Sequence, residues 1–386
     1  MHLHRPIYLD YNATTPLTPK VIAAMRPFLE EHYGNPSSSH RYGRTAKAAV
    51  ETARGQVAAL IGAAPGEIIF TSGGTEANNL AVQGAARAHP GRGKHIITSA
   101  VEHPAVTEVC AYLESQGFLV TTLPVDAAGQ VSPEDLAEAL RPDTLLVSIM
   151  HANNEVGTIQ PIQALAALAH QAGALFHTDA AQSVGKLTVD VTDLGVDLLS
   201  IAGHKLYAPK GVGALYVRSG IKLEKVTFGA GQERNLRPGT ENVLEIVGLG
   251  AAAEEAAQTL PQRVSHLIAM RDRLHAGLEN VLLPETVRLN GHPEERLPNT
   301  LNLSFINTEA NILLDTIAEH VAASAGAACH ADHVDISSVL KAMRVPIEWA
   351  KGALRFSVGS MTTGEEIDRA AEVIAQSVEK IRSASH

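Results

Sequence analysis

The stretch ALFHTDAAQSVGKLTVDVTDLGVDLLSIAGHK, Ala174 to Lys205, decides the fold. It opens on a short apolar run, Ala174–Asp179, that stops at a carboxylate. A second run, Leu198–Ala202, stops just before His204 and Lys205. Both runs read as strands. The pattern recurs outward in both directions. Glu67–Thr71, His95–Ser99, Leu119–Pro124, Thr144–Met150 and Gly213–Val217 read as further strands. Helical patterns fall between them at Glu76–Ala88, Ala105–Gln116, Pro133–Leu140 and Pro161–Ala172. This alternation predicts an α/β fold with a mostly parallel, seven-stranded sheet. Such sheets place a ligand outside the carboxyl ends of their strands, where Asp179 and Lys205 both fall.

After Glu241 the character changes. A long Ala-rich helical stretch, Val243–Glu279, leads into shorter strands and helices. The expected organisation is a large domain over 16–255, with 1–15 and 256–386 forming a smaller α+β domain.

The 386 residues are 45% hydrophobic and 19% charged, with a formal net charge of -10. That balance disfavours nucleic-acid binding driven by phosphate contacts, which needs a basic face. No run approaches the ~20 apolar residues of a membrane span, and Met1 to Tyr11 lacks the apolar core of a signal peptide. No membrane partner is expected, and a reducing cytoplasm is the simplest compartment. The two cysteines, Cys110 and Cys329, imply no disulfide framework.

Several residues gather chemistry at the predicted strand ends. Asp179 can pair with a protonated ring nitrogen or simply cap the next helix. Lys205 can be a solvated edge residue or, in a pocket, form a Schiff base. Together they match the protein's side of pyridoxal-phosphate chemistry. The motif Thr71-Ser72-Gly73-Gly74-Thr75-Glu76 follows a strand and opens a helix, which makes either an anion cradle or a structural turn. His103 sits just past a strand end, where an imidazole can stack on a ring and move protons. Asn154, in His151-Ala152-Asn153-Asn154-Glu155, can donate to a cofactor or substrate oxygen. Arg355, amid apolar residues, suits a bidentate grip on a carboxylate or a structural ion pair. Cys329 lies among small residues, Ala322 to His330, which suggests a loop rather than a packed element. Cys110, inside a helical pattern, reads as an inert core residue. A metal site using Cys329, His330 and His333 lacks a second cluster of ligands, and no metal is expected.

Taken together, these residues resemble the cysteine desulfurases of the nitrogen-fixation and iron–sulfur-cluster type, within the class-V aminotransferases. The likeness runs from Leu9-Asp10-Tyr11-Asn12-Ala13-Thr14-Thr15-Pro16 and Gly34-Asn35-Pro36-Ser37 to Ala328-Cys329 and Arg355-Phe356-Ser357. It implies a fold-type I, pyridoxal-phosphate-dependent homodimer that converts L-cysteine to L-alanine. The sulfur would pass to Cys329 as a persulfide, and then to an acceptor protein for iron–sulfur cluster assembly or other delivery. By motif match, Lys205 would hold the cofactor and Asp179 its pyridinium nitrogen. His103 would stack on the ring, with Asn154 and Gln182 at its oxygen substituents. Gly74, Thr75 and His204 would form the phosphate site, and Thr240 would reach across from the second chain. Asn35, Asn154 and Arg355 would bind substrate.

Two departures stand out. Many relatives carry Ser where this chain has Ala202. The stretches Gly231–Asn242 and Gly326–His330 look closer to selenocysteine lyases, whereas Pro104 stands where those lyases tend to carry an acidic residue. A lyase releasing selenide and alanine is therefore the alternative activity, and a catalytically silent interaction protein the distant one.

Overall fold

The computed structural model describes residues 5–89, 91, 93–325 and 336–384. The chain enters as a short strand, β1 (Ile7–Tyr8). Seven strands then build the main sheet: β2 (Ile68–Thr71), β3 (His95–Ser99), β4 (Leu119–Leu123), β5 (Thr144–Ser148), β6 (Leu175–Asp179), β7 (Leu198–Ala202) and β8 (Gly213–Val217). Their order is β2-β8-β7-β6-β5-β3-β4. Only β8 runs against its neighbours, antiparallel to both β2 and β7. The mostly parallel seven-stranded sheet expected from the sequence is therefore what forms.

All strands of this sheet except β4 are buried along their whole length, which is why they read as continuous apolar runs rather than alternating ones. The edge strand β2 is shielded by side chains. Arg54 Nη1 donates to the Ile68 carbonyl at 2.9 Å, and Glu233 Oε2 accepts from Phe70 N at 2.8 Å. Filling those edge groups blocks pairing with another strand.

The helix expected over Glu76–Ala88 begins earlier, at Gly74. Its N-cap, Gly73, holds φ +154° and ψ −178°, a conformation open almost only to glycine. Helix Val243–Glu279 runs for 37 residues and serves two cores. Ile246, Leu249 and Ala253 join the cluster under the main sheet. Leu267, Leu274 and Leu278 join a second cluster with Leu9, Leu303, Phe305, Phe356 and Ile374. That second core packs on an antiparallel sheet of β9 (Val287–Asn290), β10 (Thr300–Phe305), β12 (Ser324–Ala325) and β13 (Ala353–Ser357), while β11 (Val321–Ala322) pairs with β1. Val339, Leu340 and Met343, though late in the chain, pack with the first cluster. Among the described residues no helix is long and apolar enough to cross a membrane.

The N-terminal arm stitches the smaller sheet to the end of β7. Ser357 N donates to Leu9 O at 2.7 Å, Asn12 N to Ser357 Oγ at 2.9 Å, and Thr15 N to His204 O at 2.9 Å. Asp10 and Asn12 are thereby carried to the carboxyl ends of the main strands.

Gly213, on β8, lies against the glycine turn. A Cβ there would stand 2.7 Å from both Gly73 Cα and its carbonyl carbon, and 2.5 Å from Ile201 O. These are backbone atoms, so nothing can swing aside. Gly213→Ala should destabilise the protein by about 1–3 kcal/mol through overpacking. It should also weaken cofactor retention, because the displaced atoms belong to the turn that opens helix Gly74–Ala88. Thermal denaturation and the cofactor content of the purified variant check both effects.

Candidate active site

A cavity of about 300 Å³ opens at the carboxyl ends of β6 and β7. Gly74, Thr75, His103, Asn154, Asp179, Gln182, His204, Lys205 and Arg355 all line it, so the structure brings these residues together. A second cavity of about 410 Å³ shares Gly74, Thr75 and His204 and adds Lys210. Asn35 and Thr240 do not line either cavity and are exposed in their own chain. Asn35 Oδ1 instead accepts from Ser37 N at 2.9 Å. Cys329, His330 and His333 lie outside the described residues. Cys110 is buried, and burial pushes its thiol up to about 12, as befits a packed residue.

Asp179 is only 6% exposed. Its Oδ2 accepts from Asn78 Nδ2 at 2.7 Å and its Oδ1 from Ala181 N at 2.9 Å. Lys205 sits on the tight turn Gly203–Lys205 that follows β7. Burial holds its amine below the usual lysine range; Asp179 opposes that shift and Arg355 adds to it. A lysine of this kind is available as a nucleophile.

Both cavity histidines are kept neutral near pH 7. Burial, then Lys205, Lys210 and Lys186, push His204 down to about 4. Burial and Lys205 lower His103, against the pull of Asp179. His103 is also the N-cap of helix Pro104–Ser115, its Nδ1 accepting from Ala105 N at 3.0 Å. The neutral ring must then carry its proton on Nε2. As held, it presents a donor, and takes up a further proton only by giving up the cap bond. Pro104 is the first residue of that helix, where its missing N–H costs nothing.

The glycine turn leaves room that a side chain would take. A Cβ on Gly74 would stand 3.2 Å from the Cβ of Ala202 and 3.9 Å from that of Ala181, both cavity residues. The first N–H groups of a helix lack partners within it and favour an anion. Glu76 ties this helix start to the 231–242 segment, since its Oε1 accepts from Arg237 Nε at 3.0 Å. Arg355 is held by Asp10 Oδ1 at 2.7 Å and by Asn154 O at 3.1 Å. Its buried Nε has no partner among the described residues.

Asn78, Asp10, Asn12 and Lys186 were not singled out individually from the sequence. Asn78 lies one helical turn after Gly74, so i,i+4 spacing from the glycine turn points to it. Lys186 stands four residues after Gln182, but no regular helix joins them, so spacing alone gives no signal. Asp10 and Asn12 meet the site only through the docking of the arm on β13.

The family model for class-V aminotransferases matches residues 7–370. The chain belongs to the class-V aminotransferase family. It is 50% identical over 384 residues to the "Cysteine desulfurase IscS" of Dictyoglomus turgidum, covering 99% of this chain and 97% of that one. Among solved structures it is similar to a "NifS-like protein" at 38% identity, with a TM-score of 0.89 over 98% of this chain and 99% of that one. A structure described as "SspA in complex with cysteine" matches at 37% identity and a TM-score of 0.80, covering 92% of this chain and all of that one. The fold is that of fold-type I pyridoxal-phosphate enzymes, as the motif likeness implied, and the family depends on that cofactor.

Two outcomes follow from this geometry. His103→Asn keeps an oxygen that can cap the helix, so stability should change by less than about 0.5 kcal/mol. Turnover should still fall, on the order of 100-fold, if the ring is needed for chemistry. Comparing the melting curve with kcat separates the two roles. The second concerns Glu102, beside His103. Its Oε1 accepts from Ser99 Oγ at 2.6 Å and Met150 N at 2.9 Å, and its Oε2 is buried without a partner among the described residues. Burial raises this carboxyl to about 8 from 4.5. The folded state therefore binds a proton that the unfolded state has lost. The stability is fully present below the unfolded value and is lost as pH rises towards 8. The loss is up to about 1.4 kcal/mol per pH unit across that window. Glu102→Gln should flatten this decline in thermal denaturation measured from pH 5 to pH 8.

Proposed function

We infer that the chain is a pyridoxal-phosphate-dependent cysteine desulfurase. The observation that carries this reading is the convergence of Lys205 and Asp179, at the ends of adjacent parallel strands, on one cavity floored by a glycine-opened helix start. These residues fit the cofactor. Lys205 would hold it through its amine, and Asp179 would pair with its ring nitrogen. Gly74, Thr75 and His204 would take its phosphate, and His103, Asn154 and Gln182 would surround its ring. Ala202 has no hydroxyl to add, so the phosphate would be held by fewer side-chain donors. When bound, the cofactor supplies the electron sink that lets an amino acid lose its α-proton.

The chain's own residues do the rest. Arg355, which lines the cavity, receives the substrate carboxylate, and Asp10 and Asn154 keep the guanidinium in place. Lys205, below its usual protonation range, takes the α-proton. His103 donates from Nε2. Cys329 supplies the thiolate that attacks the substrate's sulfur. An S–S bond forms and the C–S bond breaks, its electron pair staying on carbon. Protonation of that carbon yields alanine, and Cys329 keeps the persulfide until an acceptor protein takes the sulfur.

We further propose a homodimer. Asn35 and Thr240, exposed and outside their own chain's cavity, would complete the site of a second chain. A mass of one chain in solution would contradict this.

The test is alanine and sulfide release, measured in parallel on L-cysteine and L-selenocysteine with excess dithiothreitol to reduce the persulfide to sulfide. Cys329→Ser should nearly abolish sulfide from cysteine, and Cys110→Ser should leave it close to wild type. Lys205→Ala should lose both products from either substrate. Sulfide release near the wild-type rate from Cys329→Ser would remove the persulfide route and favour selenocysteine lyase.

A further inference from the structure

Beneath the cavity lies a second buried lysine that the chemistry above leaves unused. Lys186 is 4% exposed and does not line the cavity. Its Nζ donates to Gln182 Oε1 at 2.8 Å and to Asn12 Oδ1 at 3.3 Å. Gln182 Nε2 donates in turn to Asn12 O at 3.0 Å. Asn12 is pinned by further bonds, with Asn299 Nδ2 donating to its Oδ1 at 2.9 Å and its own Nδ2 reaching Thr300 Oγ1 at 2.8 Å.

This arrangement has only one consistent polarity. A lysine amine always has N–H groups to donate, and its Nζ pairs here with the carbonyl oxygen of Gln182. The Asn12 carbonyl accepts and cannot donate, so the atom facing it must be the nitrogen. Turning the Gln182 carboxamide over would set its oxygen against the Asn12 carbonyl, acceptor against acceptor in a buried place, and that bond would be lost. The oxygen end is thus tied to Lys186, away from the cavity. The nitrogen end is shared with Asn12, which lines the cavity, and it keeps one N–H uncommitted to this network.

We propose that Lys186 is a positioning residue for the cofactor, fixing the Gln182 carboxamide so that its free N–H, and not its carbonyl, meets an oxygen substituent of the ring. This rests on the cofactor occupying the cavity of Lys205. Burial, then Lys205 and Arg355, hold the Lys186 amine well below the usual lysine range.

The experiment is a double-mutant cycle on the full-length apoprotein, read by the Kd for pyridoxal phosphate and by the absorption band of the bound cofactor. Lys186→Met and Gln182→Leu should each weaken binding about tenfold and shift the band alike. The double variant should be no more than about twofold worse than either, because Lys186 acts through Gln182. Additive losses, or an unchanged Kd in Lys186→Met with only a lower melting temperature, would overturn the proposal. Should Lys186→Met not fold, Lys186→Gln retains an N–H for Gln182 Oε1. A Kd within threefold of wild type then supports the role, and a tenfold loss refutes it. Lys205→Ala serves as the control. If it and Gln182→Leu both bind the cofactor normally, the site assignment itself fails. If both weaken binding and Lys186→Met does not, only the role of Lys186 fails.

Discussion

A largely buried carboxylate and amine share one cavity at the ends of two adjacent strands, and the surrounding structure answers to that constraint. Charges taken out of water are costly unless each finds partners. Asp179 is met by the Asn78 side chain and the Ala181 N–H. Lys205 has no such freedom, and burial drives its amine toward the neutral form. The parallel sheet supplies the geometry, since β6 and β7 run side by side in register and deliver both groups to the same edge. In an antiparallel pair the two ends would face opposite ways.

The other charges of the site follow the same logic. Arg355 keeps its charge, and burial holds the titratable neighbours toward their neutral forms. His204 is held neutral by burial and by three lysines, and His103 by burial and Lys205. Arg355 cannot lose its charge, so a carboxylate stays beside it, and Asp10 takes that place at 2.7 Å. A site poor in protons and rich in donors suits an anionic phosphate and a carboxylate substrate.

Much of this was legible in the sequence, because strand ends are. Buried parallel strands read as apolar runs, and Asp179, His103, Asn154 and Lys205 each stand where a run stops. The glycine turn was legible as well, although helix Gly74–Ala88 began two residues early because Gly73 could act as its cap. Contacts that cross long distances along the chain were not legible. Asp10 meets Arg355 345 residues on, and Asn12 meets Lys186 174 residues on. Local periodicity carries no information about such pairs. The fit of Pro104 was hidden for a different reason. It depends on His103 being a helix cap, which only the Nδ1 contact with Ala105 N reveals.

The N-terminal arm draws these separate facts together. Through Asp10 it holds Arg355, through Asn12 it holds Gln182 and Lys186, and through Thr15 it holds the His204 carbonyl. The proposed substrate grip, the proposed cofactor grip and the Lys205 turn are thus fastened to one strip of backbone. Each of those bonds closes a loop of more than a hundred residues, and closing such loops costs entropy before any contact repays it. Asp179 and His103 are held by local contacts, but Arg355, Gln182 and Lys186 take part of their support from the docked arm. Completion of the active site is therefore tied to the longest-range contacts in the fold, and the precision of the site depends on residues far from any of its motifs.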